Sequence, residues 1–92
     1  MSGHLMNTYM RQSVTFARGE GVWLWDANGE KYLDALAGVA VNGLGHAHPK
    51  LAKAISEQAA KLIHVSNIYQ IAEQAALADK LCEISGIDRK SV

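Results

Sequence analysis

The dipeptide Asn28-Gly29 sits between two short β-favouring runs, Val22-Trp23-Leu24-Trp25 before it and Lys31-Tyr32-Leu33-Asp34 after it. Asn-Gly is the strongest short-range hairpin signal, because both residues tolerate the positive φ that a tight turn between twisted strands demands. The flanking runs therefore predict antiparallel neighbours. A third run, Val14-Thr15-Phe16-Ala17-Arg18, precedes Gly19-Glu20-Gly21, whose glycines allow a second tight turn. The expectation is a three-stranded antiparallel meander. Side chains alternate along a strand, so Val22 and Leu24 share one face and Trp23 and Trp25 the other. Both faces are apolar, and both are expected to meet something.

After the meander the pattern changes. Ala35 to Gly45 reads ALAGVAVNGLG, small, uncharged and Gly-punctuated, which suits a tight loop or a backbone that something approaches closely. Pro49 then stands where proline belongs in the first turn of a helix, and Leu51, Ile55, Ala59 and Leu62 recur at helical spacing. This predicts a helix over about Pro49 to Ile63. His64-Val65-Ser66 breaks it, and Asn67 with Gln70 three residues on resembles a capping box. A second helix is expected from about Ile68 to Ser85, with Ile71, Ala75, Ala78 and Cys82 on one stripe and Gly86 as its stop. The fold class is α+β: meander, Gly-rich loop, two helices. No repeat, low-complexity tract or linker divides it.

A chain of 92 residues holds one small domain at most. Its nine basic and nine acidic side chains balance, so no net field draws it to nucleic acid or to an anionic membrane surface. Cys82 is its single cysteine, which excludes an internal disulfide and makes a reducing cytoplasm the expected setting. No apolar run approaches the roughly 20 residues that cross a bilayer. Met1 to Leu5 reads as a tag or disordered leader, leaving residues 6–92 as the folded segment.

Taken singly, the chemical motifs are weak. His46, His48 and His64 could be nitrogen ligands, yet zinc sites carry tighter patterns with cysteine or carboxylate partners. The expectation is that these imidazoles bond loop backbone and the first helix's N-terminus, and no metal site is assigned. GLGHAHP, residues 43–49, precedes a helix as a phosphate loop would, but both the dinucleotide pattern and the Walker lysine are absent. Cys82 reads as a small buried hydrophobe. The two tryptophans could stack a base or sugar, but non-basic neighbours favour packing. The polar tip of Tyr69 could reach either a ligand or solvent.

Together, RGEGVWLWDANGEKYLDALAGVAVNGLGHAHPKL followed by HVSNIYQIAEQAALADKLCEISG resembles the amino-terminal segment of class III pyridoxal-phosphate aminotransferases, over about Asn7 to Arg89. The ordered series of turn, D-x-x-G-x-x-Y-x-D, Gly-rich loop and G-H-x-H-P is far more specific than any one element. The resemblance implies an α/β fold-type I transferase as the complete subunit, working as a homodimer. Its reaction would be a ping-pong transamination in which a lysine holds pyridoxal phosphate (PLP) as a Schiff base and the ring is the electron sink. The implied partners are a small-molecule amino donor and 2-oxoglutarate.

In that family the cofactor lysine, phosphate cradle and ring-nitrogen acid all lie downstream. Lys31, Lys50, Lys53, Lys61, Lys80 and Lys90 therefore read as surface lysines, and no catalytic or cofactor-binding residue is assigned. Gly38, Val39, Ala40 and Asn42 match the family's substrate-channel loop, while Ser66, Asn67 and Tyr69 match an interface segment near the pocket. Ornithine aminotransferases typically carry a tyrosine in the channel loop; Gly38-Val39 offers no hydroxyl and favours an acylated donor. N-acetylornithine is the expected one, in arginine biosynthesis, with succinylornithine or N-succinyldiaminopimelate as alternatives. The family pattern continues past Arg89 whereas this chain reads Lys90-Ser91-Val92 and stops. The expectation is an amino-terminal fragment that neither turns over substrate nor holds PLP stably by itself. From another class, the chain could be a small interaction module that recruits a partner through its meander.

Overall fold

A computed structural model describes residues 3–88. The leader reading for Met1 to Leu5 falls partly, and the readings on Arg89 and Lys90 wholly, outside the described residues. The chain divides into two compact units, Met1–Ser56 and Glu57–Val92.

In the first unit, β1 (Phe16–Glu20), β2 (Trp23–Asp26) and β3 (Lys31–Leu33) form the expected antiparallel sheet in the order β1-β2-β3. The first strand lies further along the chain than its β-prone run suggested. Gly19 and Glu20 pair with Leu24 and Trp23 rather than forming the turn; the register shifts by one residue between Phe16 and Arg18, where Ala17 is the extra residue on β1, and the ladder runs on to Glu20. Gly21, with φ 59°, makes the turn. The second hairpin also departs from a plain two-residue Asn-Gly turn. The Gly29 N–H donates to the Asp26 carbonyl at 3.0 Å and Gly29 takes φ 83°, so Ala27 and Asn28 are the central pair and Gly29 is the left-handed bulge residue. The Asp26 carboxylate selects that shape: its Oδ1 accepts the N–H groups of Asn28 and Glu30, each at 2.9 Å, and its Oδ2 accepts the Tyr32 hydroxyl at 3.1 Å.

The two faces of the sheet are not equivalent. On one, the guanidinium of Arg18 lies 3.6 Å from the Trp25 ring centre and the Lys31 ammonium 4.1 Å from that of Trp23. Cations thus cap the indoles, so what this face meets within the sheet is charge carried by its own strands. On the other, Phe16 meets Tyr32 edge-to-face with ring centres 5.4 Å apart, and Leu24 pairs with Tyr32.

The Gly-rich stretch contains a single helical turn, α1 (Ala37–Ala40). α2 (Pro49–Lys61) follows, with Pro49 at its first position as expected. It ends at Lys61 rather than Ile63, where the Gln58 amide reaches forward to the Leu62 carbonyl at 2.7 Å. In the second unit, α3 (Ala72–Ser85) starts four residues later than the sequence suggested, and the capping box does not form. Ser66 takes φ 74° and opens a turn in which its carbonyl accepts the Tyr69 N–H at 3.3 Å. Asn67 is drawn instead to the Gln74 side chain at 3.1 Å, and Ile71 is the uncapped N-terminal residue. Gly86, with φ 71°, stops α3 as anticipated.

No hydrophobic residue is buried among the described residues; Asp26, 9% exposed, is the sole residue buried as a whole. Leu51 and Ile55 on α2, and Leu62 just beyond it, are exposed, and Cys82 is half-buried with its thiol directed at the Asp88 carbonyl, 3.0 Å away, rather than packed as a core residue. Hydrogen bonds, not a core, define the local shapes.

Candidate functional site

The loop between β3 and α2 is the most structured irregular part of the first unit. Ala37, Gly38, Val39 and Ala40 all have positive φ, at 55°, 63°, 59° and 63°. α1 is therefore a left-handed turn, with the Ala40 N–H on the Leu36 carbonyl at 3.0 Å. In L-residues this hand brings Cβ against the following carbonyl, costing about 1–2 kcal/mol for each non-glycine residue, and β-branched Val39 is the most adverse case. Strain of this kind persists only where surrounding bonds over-determine it.

Asp34 supplies those bonds. Its Oδ1 accepts the N–H groups of Leu36 at 3.0 Å and Ala37 at 2.9 Å, and its own N–H donates to the Val22 carbonyl at 2.8 Å. Its Oδ2 meets His46 Nε2 at 2.5 Å. The Ala37 N–H foremost, and then the His46 ring, hold the Asp34 carboxyl below its usual value, with partial burial opposing them. His46 in turn is pinned by its backbone, which exchanges two bonds with Gly21 at 3.0 and 2.8 Å. Its ring lies on Gly19, where an added Cβ would stand 2.6 Å from His46 Cγ. Gly45, with φ 81°, permits the crossing, since a Cβ there would stand 2.8 Å from the Gly21 oxygen.

His46 thus differs from the expectation of backbone bonding: its ring takes a carboxylate. His48 conforms, its Nδ1 accepting the Lys50 N–H at 3.2 Å at the start of α2. Among the described residues no group of three metal-capable side chains occurs.

Of the channel candidates, Gly38, Val39 and Ala40 lie in α1, exposed, and Asn42 sits half-buried just beyond it. The Asn42 side-chain nitrogen would be 3.0 Å from a Cβ at Gly38, so the amide packs directly under that glycine. Ser66, Asn67 and Tyr69 share one turn of the second unit, with Ser66 Oγ accepting the Ile68 N–H at 3.4 Å and Tyr69 exposed. The sequence points to His46 only as a candidate ligand or backbone-bonding imidazole and does not mark Asp34 as its partner; the one signal for the pair is their presence in Y-x-D and G-H-x-H-P.

A cavity of about 100 Å³ lies beside the pair, lined by Val22, Ala37, Asn42 and Gly43 among others. It is too small for an amino-acid derivative, since ligand pockets run to several hundred Å³. A more open cleft lies along the amino-terminal stretch between Leu5 and Phe16, with Arg11 stacked 5.4 Å from the Tyr9 ring centre. Neither is lined by a lysine.

The family model described as Aminotransferase class-III matches residues 6–92. The acetylornithine aminotransferase of Nitrosomonas europaea is 58% identical over 86 residues, which cover 94% of this chain and 22% of that protein. Acetylornithine aminotransferase 1 of Bordetella pertussis is 60% identical over 87 residues, covering 95% and 22%. Among solved structures, acetylornithine aminotransferase from Elizabethkingia anophelis superposes with a TM-score of 0.89 at 35% identity, over 94% of this chain and 22% of that one. The ornithine aminotransferase from Toxoplasma gondii ME49 gives 0.87 at 30% identity, covering 94% and 20%. The chain spans about a fifth of the length of each of these proteins.

Proposed function

Since the chain belongs to the class-III aminotransferase family, we propose that it forms the amino-terminal part of a PLP-dependent enzyme moving the terminal amino group of N-acetylornithine to 2-oxoglutarate. The observation that carries this reading is the 58–60% identity, over nearly all of the chain, to proteins named for that donor. In this reading residues 6–92 are one segment of a fold-type I subunit, which works as a homodimer in the cytoplasm. α1 lines the substrate channel, its Gly38-Val39 peptide leaving room for an acyl group and offering no hydroxyl. Asn42 supports the turn from below, and Ser66, Asn67 and Tyr69 belong to an interface near the pocket.

The family implies PLP in the complete enzyme, where the ring acts as an electron sink. The residues described here do not fit it by themselves. Lys31 lies against Trp23 and Trp25, Lys80 pairs with Glu83 at 3.5 Å, and no lysine lines either cavity. No catalytic step is assigned to this chain. Its part is to shape and bound the donor's path. An independent interaction module is disfavoured by the lack of any buried hydrophobic residue among the described residues.

The test is a graft. Replacing the 86 matching residues of the Nitrosomonas europaea relative with this segment should yield a PLP-loaded enzyme that transaminates N-acetylornithine with 2-oxoglutarate in preference to ornithine. N-succinylornithine and N-succinyldiaminopimelate are assayed beside it. A loaded graft that prefers a succinylated donor, or ornithine, would overturn the assignment.

A further inference from the structure

We propose that Asp34 and His46 are a pair of positioning residues that hold the left-handed turn Ala37–Ala40 in place and thereby set the enzyme's preference among amino donors. The proposal deepens the reading of α1 as channel lining and rests on it.

The turn cannot hold itself. Its internal bonds, Ala40 N–H to Leu36 O and Asn42 N–H to Ala37 O, are compatible with either hand, whereas three of its residues prefer the right-handed one. What distinguishes the left-handed form is how the chain enters and leaves. Entry is gripped by Asp34, which accepts two consecutive N–H groups, those of Leu36 and Ala37. Exit passes through Gly45 to His46, whose backbone is fastened to Gly21 in the first hairpin. The contact between Asp34 Oδ2 and His46 Nε2 joins entry to exit. The pair is shielded, with 9% of the Asp34 side chain and 19% of the His46 side chain exposed, so water competes weakly for it.

The ring cannot shift easily. Gly19 of β1 leaves only the thickness of the imidazole behind it, and a methyl group there would collide with both Cβ and Cγ of His46. Strand β1, His46, Asp34 and the turn therefore form one continuous strut. At its end Val39 is carried outward, 76% exposed. Small displacements of such a residue change discrimination between donors that differ by an acyl group, while leaving distant chemistry alone.

The experiment uses the grafted holoenzyme. Single-turnover donor half-reactions, followed by the change in PLP absorbance, give kcat/KM for N-acetylornithine and for ornithine. Their ratio does not depend on the fraction of enzyme that is active, so simple loss of folded protein leaves it unmoved. His46→Ala and Asp34→Ala are expected to lower the ratio about tenfold or more, mainly through KM for the acylated donor. His46→Gln, which returns an amide donor within reach of Asp34, should restore it to within about threefold. An unchanged ratio in both alanine variants would overturn the positioning role, as would failure of all three variants to load PLP, which would make the pair a folding element. An unsubstituted graft that loads PLP but shows no preference for the acylated donor would overturn the functional reading, and this role with it.

Discussion

Asp34 and His46, twelve positions apart, meet carboxylate to imidazole at 2.5 Å across the mouth of a left-handed turn. Around that contact every close approach is made possible by a missing side chain: Gly19 behind the ring, Gly45 over the Gly21 carbonyl, Gly38 above the Asn42 amide. The spacing of these glycines is thus explained by what presses on them.

Gly19→Ala should break the Asp34–His46 contact without altering either residue, because the new methyl would stand 2.6 Å from His46 Cγ and 2.7 Å from its Cβ. The expected result in the grafted holoenzyme is the donor-preference loss of His46→Ala with the sheet retained. An NMR or crystal structure showing the ring still on Asp34 would contradict it.

Gly45→Ala should cost more than Gly29→Ala. Both residues have positive φ, 81° and 83°, so each substitution carries about 1–2 kcal/mol of left-handed strain. A Cβ at Gly29 meets open space, whereas one at Gly45 strikes the Gly21 backbone. Gly45→Ala is expected to abolish amide-exchange protection at Gly21 and His46, which Gly29→Ala should leave intact.

The hairpin and loop should loosen in acid. The Glu30 N–H foremost, with the Tyr32 hydroxyl and the Asn28 N–H, holds Asp26 below the ordinary 3.8, and the Ala37 N–H and His46 do the same for Asp34. A carboxyl whose folded-state pKa is depressed stabilises the fold fully above its unfolded value and loses that contribution as pH falls through the folded one. Tyr32 is shifted the opposite way, raised above 10.0 chiefly by the bond to Asp26. Its contribution is complete below that value and lost as pH rises beyond it. Amide signals of Asn28, Glu30 and Ala37 should therefore titrate with midpoints below 3.8; midpoints above it would refute the hydrogen-bond assignment.

The 92-residue chain mixed with PLP should show no cofactor absorbance band that survives gel filtration. A retained band discharged by N-acetylornithine would mean that one of its lysines holds the cofactor.

Much of the local architecture was legible. Asn28-Gly29 marked the second hairpin, Pro49 the first residue of α2 and Gly86 the end of α3, since each acts through its own backbone preferences. The failures share a different origin. β1 slid because a register shift depends on its partner strand. The capping box at Asn67 and Gln70 lost to a Ser66 turn and to Gln74, a competitor seven residues away from Asn67. The tryptophan face looked apolar because Arg18 and Lys31 are distant in sequence from the rings they cover.

By itself, then, the sequence determined where the chain turns, which strands pair, where α2 begins and α3 stops, and which family the segment belongs to, because those properties follow from short-range chemistry and ordered motifs. The hand of the turn at Ala37–Ala40 was decided only in three dimensions. Alanine and valine prefer the opposite hand, and they are overruled by a carboxylate, an imidazole and two glycine-permitted contacts brought together only when the meander and its loop have closed.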